Sequence, residues 1–288
     1  MPNLRSYPAL ARLLILAGTM LLAWVAAAAV TLALPQLGLD DGDRRLRLGL
    51  QALTQTLVFL LPSLLFAHLF HGGTAFFGCT IGRRQWTLVA IGIASLLLLT
   101  PAVDWLSVWN NSWHWGGRWA AVETQLRGAA AQAEALTLQL LTMPRPGDLL
   151  LCLLVVALVP AVCEEVLFRG VIQQTLQLHW RNIHAAVWTT ALIFSLLHGD
   201  LFALLPRMAL GALLGYLYAL SGSLSVSAAV HFVNNAVIVI LHYLHQHHLV
   251  TFSPDDTLSL PLLLSVCCAV AAGILLHKSK PGKPEQGS

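Results

Sequence analysis

Two adjacent carboxylates, Glu164 and Glu165, end an unbroken apolar run, LLLCLLVVALVPAV, and Arg169 follows four residues after the second. The whole chain has five glutamates. A charge at the centre of a bilayer costs roughly 2.5–3.5 kcal/mol on insertion scales, and two neighbouring carboxylates also repel each other. On a helix Glu165 and Arg169 are i and i+4, so they share a face and can pair. Glu164 points about 100° away and has no cation next to it in sequence. Buried there, it is the carboxylate suited to take and give protons near neutrality. The pair thus divides into a structural member and a chemical one. The alternative is that all three groups face water at a helix end, which the amphipathic continuation VIQQTLQLHWRN allows. Pro160, four residues before Glu164, removes a backbone hydrogen bond and predicts a kink that opens room for water.

Further polar groups lie in later apolar segments. IFSLLHG supplies His198, with Phe194 one turn before it, and SAAVHFVNNAV supplies His231, with Asn235 one turn after it on the same helical face. Glu164 and His198 each lie 17 residues from Arg181. At about 1.5 Å per residue, both sit about 25 Å from a turn at Arg181–Asn182 and can face each other on antiparallel helices. His231 lies nine residues beyond Gly222, so bringing it level requires the Arg181 hairpin to protrude.

The elements that must position these groups are membrane helices. Of 288 residues, 57% are hydrophobic and 10% charged, against about 25% charged in soluble domains. The net charge of +3 is small and no basic block of five exists, which excludes a nucleic-acid footprint. Cys79, Cys152, Cys163, Cys267 and Cys268 form no CxxC pair and read as packed membrane thiols rather than a disulfide framework, a zinc-thiolate site or a nucleophile.

A bilayer span needs about 20 mostly apolar residues. Eight candidates appear, at about 9–34, 48–70, 87–108, from 148 through the glutamates, 183–199, 201–220, 225–245 and 258–277. The fold class is an all-α polytopic membrane protein. Four regions follow: residues 1–108 with three spans, an interfacial connection at 109–147, a core at 148–248, and the last span with a polar tail at 249–288. Trp105, Trp109, Trp113, Trp115 and Trp119 open the connection as an aromatic belt. The stretch WAAVETQLRGAAAQAEALTLQLLTM predicts an amphipathic surface helix, ended by MPRPGD. The tail HKSKPGKPEQGS reads as disordered. Eight spans put both termini on one side. Basic residues divide almost evenly between the sides, and the lysine-bearing tail tips the expectation to cytoplasmic termini in a bacterial inner membrane.

The motifs EEVLFR, FSLLH and HFVNN fit EExxxR, FxxxH and HxxxN in order. In this the chain resembles the CPBP intramembrane proteases (CAAX prenyl protease and bacteriocin-processing family, also called Abi), relatives of the Ras-converting enzyme, over roughly residues 120–248. The resemblance implies a membrane endopeptidase acting on a membrane-associated protein or peptide, lipidated or leader-bearing. It implies that Glu164 and His198 activate water, that His231 and Asn235 hold the oxyanion, and that Glu165 and Arg169 stabilise the site. The family has been called both metalloprotease and glutamate-dependent protease. Zinc would fall to Glu164, His198 and His231, but HExxH is absent and no third strong ligand is evident, so metal-free hydrolysis is the favoured expectation. HYLHQHH (His242, His245, His247, His248) lies beyond the motif and reads as a solvated interface cluster. Two rivals remain: a non-enzymatic immunity or scaffold protein, and a transporter relaying protons through Glu164, His198 and His231. The latter lacks visible paired repeats.

Overall fold

The computed structural model describes residues 7–34, 36, 42–251, 253 and 261–278. Its helices are α1 (Ala9–Ala33), α2 (Arg44–His71), α3 (Arg83–Asn111), α4 (Ala120–Leu140), α5 (Pro146–Trp180), α6 (Ile183–Leu197), α7 (Leu204–Ser221), α8 (Leu224–Gln246) and α9 (Leu262–Lys278). No strand is present among the described residues. Counting the one-turn extension of α7 at Leu201–Ala203, six helices are long and apolar enough to cross a membrane, and α6 and α9 are shorter apolar helices. The protein is an integral multi-pass membrane protein. All eight apolar segments expected from the sequence are helices, and α4 is the expected ninth. The polar tail beyond Lys278 lies outside the described residues.

The centre of the bundle is α5. It packs on α2, α6, α7 and α8, and Glu165, Leu167, Phe168, Arg169, Val171 and Gln173 on it are almost wholly buried. The sequence alternative in which the glutamates and Arg169 face water at a helix end is therefore wrong. The stretch that reads as amphipathic is also inside the bundle as far as Leu176, and Leu178 to Asn182 emerge.

Pro160 does not break α5. The helix widens to π geometry at Leu153–Leu158, where the Val159 N–H donates to the Leu154 carbonyl. In α2 the same thing happens before Pro62: Thr56–Leu60 is π-helical and the Leu61 N–H donates to Thr56. Proline offers no N–H to the carbonyl four residues back, and the wider turn lets the helix continue past it. A third π stretch, Val166–Gln173, contains no proline and carries Arg169. Single π turns recur at functional positions because they re-aim side chains within an unbroken helix.

α6 has 15 residues, about 22 Å, short of the roughly 30 Å hydrocarbon core. It starts at Asn182, whose side chain caps the Ala185 N–H, and runs back along α5. It ends at Leu197, with Leu196, Leu197 and His198 exposed at the edge of the bundle. The hairpin at Arg181, left-handed at φ 53°, does protrude: Glu165 lies 15 residues before Trp180, whereas its contact His231 lies only seven residues into α8.

α8 is fixed at its start by the loop before α3. The Leu224 N–H donates to the Gly78 carbonyl at 2.7 Å, and the Ser223 hydroxyl donates to the Thr80 carbonyl at 2.6 Å. Gly78 has φ 65°, and a Cβ there would lie 2.6 Å from the Gly222 carbonyl oxygen, so only glycine fits.

Candidate active site

The geometry begins with Arg169. Its Nη1 donates to Oε1 of Glu165, and both side chains are fully buried. Its Nη2 donates to the Gly211 carbonyl of α7 at 2.7 Å. One helical turn on, Gln173 Nε2 donates to the Gly215 carbonyl at 2.9 Å. This two-rung ladder requires close backbones, and a Cβ on Gly215 would meet Gln173 at 2.8 Å. Phe194 of α6 packs on the same cation, with the guanidinium 5.2 Å from its ring centre.

His231 of α8 completes the cluster. Its Nδ1 lies 3.0 Å from Glu165 Oε1, and its Nε2 lies 3.9 Å from Glu164 Oε2. Glu164, itself buried, also accepts from Gln55 Nε2 of α2 at 3.3 Å. Two carboxylates and one guanidinium are thus gathered in one buried cluster, with Glu164 Oε2 and His231 Nε2 facing each other across it.

His198 stands just past the end of α6. Its Nδ1 donates to the Phe194 carbonyl at 2.7 Å, which fixes the tautomer and leaves Nε2 as a base. Phe194 is the hub of the site: its ring meets His198 edge-on at 4.6 Å, His231 at 6.1 Å and Phe168 at 4.9 Å.

A cavity of about 320 Å³ is lined by His198, His231 and Asn235, together with Phe194, Asn234 and Arg207. Asn234 Nδ2 donates to Asn235 Oδ1 at 3.2 Å, which engages the carbonyl end of Asn235 and leaves its NH₂ as a donor. A second cavity of about 900 Å³ shares Ser107, His198, Ala203 and Arg207 with the first and runs out beneath α4. Its α4 wall is an alanine run, Ala129, Ala130, Ala131 and Ala133, flanked by Arg127 on one side and Glu134 and Thr137 on the other.

The structure thus brings His198, His231 and Asn235 onto one cavity. Glu164 and Glu165 stand behind His231 and do not line it. Glu164 is within electrostatic reach of His198. Among the described residues, no three His, Cys, Asp or Glu side chains are grouped so as to hold a metal ion. Both histidine Nδ1 atoms are hydrogen-bonded, to the Phe194 carbonyl and to Glu165, and Glu164 is not among the residues that line the cavity with His198 and His231. In HYLHQHH, His245 and His248 are exposed, His242 Nδ1 lies 3.0 Å from the Ile238 carbonyl one turn earlier in α8, and His247 Nε2 lies 2.9 Å from the Met143 carbonyl before α5.

Three residues near the site carry no motif signal. Gln55 reaches Glu164 from 109 positions away. Gly211 supplies the carbonyl for Arg169, and Arg207 lines both cavities. A polar residue within an apolar run is a weak signal that marks Gln55 and Arg207. Nothing in the sequence marks the Gly211 carbonyl.

No curated protein and no solved structure matches the chain. Residues 146–237 match the family described as type II CAAX prenyl endopeptidase Rce1-like. That span runs from the first residue of α5 into α8 and contains Glu164, Glu165, Arg169, His198, His231 and Asn235. The stretch that carries Glu164, Glu165, Arg169, His198, His231 and Asn235 is thus similar to the Rce1-like family of CAAX prenyl endopeptidases.

Proposed function

We propose that the chain is an intramembrane endopeptidase that hydrolyses a peptide bond of a membrane-associated protein or peptide. The observation that carries this reading is the meeting of His198 Nε2, His231 and Asn235 at one cavity with a buried carboxylate pair behind it. A water in the cavity gives its proton to His198 Nε2 as its oxygen attacks the carbonyl carbon. His231, protonated at Nε2 and held by Glu165, and the Asn235 NH₂ donate to the oxyanion. Glu164 places negative charge near His198 as the imidazolium forms, so it assists water activation from behind the wall. When the tetrahedral adduct collapses, the His198 imidazolium returns the proton to the amine nitrogen as the C–N bond breaks, releasing the carboxylic acid and amine products. Glu165 and Arg169 keep this charge arrangement in place. No metal enters any step. The second cavity supplies the path by which a peptide held under α4 reaches His198. Lys278, in the last turn of α9, together with Arg83, Arg84 and Arg181, supports termini on the cytoplasmic side.

The test compares wild type with Glu164→Ala and His198→Ala in reconstituted membranes, reading cleavage of membrane-anchored peptides. The expected loss is about 10²–10⁴-fold in each, with unchanged insertion and accumulation. Purified variants with wild-type peptidase activity would overturn the reading.

A further inference from the structure

Among the described residues, Arg207 is the one Lys or Arg lining the first cavity, and it stands at the throat the two cavities share. It lies on the first turn of α7, on the far side of the turn that begins with His198. Its own partners are weak. Nη2 is 3.9 Å from Asp200 Oδ2, and Nη1 reaches the Asp200 carbonyl only at 3.5 Å. The other oxygen of Asp200 is engaged, accepting the Phe202 N–H at 2.9 Å.

Arg127, the other cation on the wall of the second cavity, is in a different condition. It donates to Glu123, to the Asn111 side chain and carbonyl, and to the Trp113 carbonyl, and stacks over Phe202 at 3.7 Å. Arg127 is saturated by the fold, while Arg207 keeps donors for a ligand. A guanidinium presents a planar fork that matches a carboxylate in two parallel hydrogen bonds. At the throat of a mostly apolar cavity, shielded from bulk water, such a contact gains strength.

Resting on the peptidase reading, we infer that Arg207 anchors the substrate by a carboxylate lying a few residues from the cleaved bond. Two sources share this chemistry: a free C-terminus and an Asp or Glu side chain. Either is held at the throat while the scissile carbonyl reaches His198 and Asn235. Asp200 occupies the fork loosely in the resting protein and is displaced by the substrate group.

The experiment uses the full chain in liposomes with N-palmitoylated peptides of randomised four-residue tails. One pair of pools differs only in a terminal carboxylate or carboxamide, and a second pair only in Asp/Glu or Asn/Gln within the tail. Binding is read with non-cleavable analogues, so the result does not depend on turnover. Wild type is expected to hold one carboxylate pool about tenfold to hundredfold more tightly than its neutral twin, and the pool that shows it identifies the source. Arg207→Gln is expected to bring that ratio to near one, Arg207→Lys to retain part of it, and Asp200→Asn to keep it. Equal binding of both pairs by wild type, or a wild-type ratio in Arg207→Gln, would overturn the inference. A ratio that depends on Arg207 in a protein that cleaves nothing would support the anchor and overturn the peptidase reading instead.

Discussion

His231 Nδ1 and Glu165 Oε1 lie 3.0 Å apart across the α5–α8 interface, on the same carboxylate oxygen that takes the Arg169 hydrogen bond. Oε2 of Glu165 is buried with no hydrogen-bond partner. One oxygen therefore links the ion pair that holds the bundle to the imidazole that faces the cavity. Structural and chemical roles meet on Glu165, which separates what different substitutions should do.

Arg169→Met leaves Glu165 as an uncompensated buried charge, and breaking a buried pair costs about 3–5 kcal/mol. The variant is expected to accumulate poorly and to melt early in detergent. Replacing both members, as Glu165→Leu with Arg169→Met, is expected to restore accumulation, because a well-packed apolar pair often matches a buried ion pair. It should not restore cleavage, since His231 has lost the carboxylate that orients it. A double variant that cleaves as well as wild type would show that Glu165 acts only as a counter-ion.

How far the sequence could foresee this depends on the reach of each contact. The Glu165–Arg169 pair was readable because it is a property of one helix and needs only a four-residue spacing. Residue counts along two antiparallel helices allow Glu164 and His198 to approach each other. At Pro160 the sequence shows the missing N–H, but not the π turn at Leu153–Leu158 that carries the helix past it. The Gln55 and Gly211 contacts depend on how helices rotate against each other. One apolar segment offers many equivalent packing faces, and nothing local selects among them.

Asn235→Ala removes one donor from the proposed oxyanion contact. Loss of such a donor costs about 2.7–4 kcal/mol, or 10²–10³ in kcat. The expectation is a fall of that size in kcat with little change in KM. A rise in KM at constant kcat would mean that Asn235 binds the ground state, and its assigned role would be wrong.

Removing metal should change nothing. The cluster draws its proton chemistry from Glu164, His198 and His231, and no three candidate ligands are grouped for an ion among the described residues. Activity is expected to persist in strong chelator, with no stoichiometric metal by elemental analysis. Loss on chelation with recovery on adding zinc would reverse this.

The surface helix α4 is clasped at its first turn by Glu123. The Trp115 N–H, Arg127 and His114 all converge on that carboxylate and hold it down at about 2, against an ordinary value of 4.5. The sign follows from the depression. The clasp is complete above the ordinary carboxylate value and is lost as pH falls from about 4.5 toward 2. Hydrogen exchange in residues 113–127 is expected to be slow from pH 5 to 8 and to quicken only below about 4 after correction for intrinsic rate. Glu123→Gln should show fast exchange at every pH. Wild-type exchange that stays slow below pH 3 would show that the clasp does not depend on the Glu123 charge.

Gln55 offers the sharpest check on the buried carboxylate, because it lies outside the family-matched residues 146–237 and touches Glu164 alone among the motif groups. Its Nε2 donates to Glu164 Oε1 at 3.3 Å, while its Oε1 is buried without a partner. A hydrogen bond to a charged group is worth about 1.5–3 kcal/mol, so it holds the Glu164 carboxylate in place behind His231. Gln55→Leu removes that bond and the unpaired carbonyl together. The protein should therefore accumulate normally, while kcat falls about tenfold or more with KM little changed. A wild-type kcat in Gln55→Leu would remove Gln55 from the positioning of Glu164.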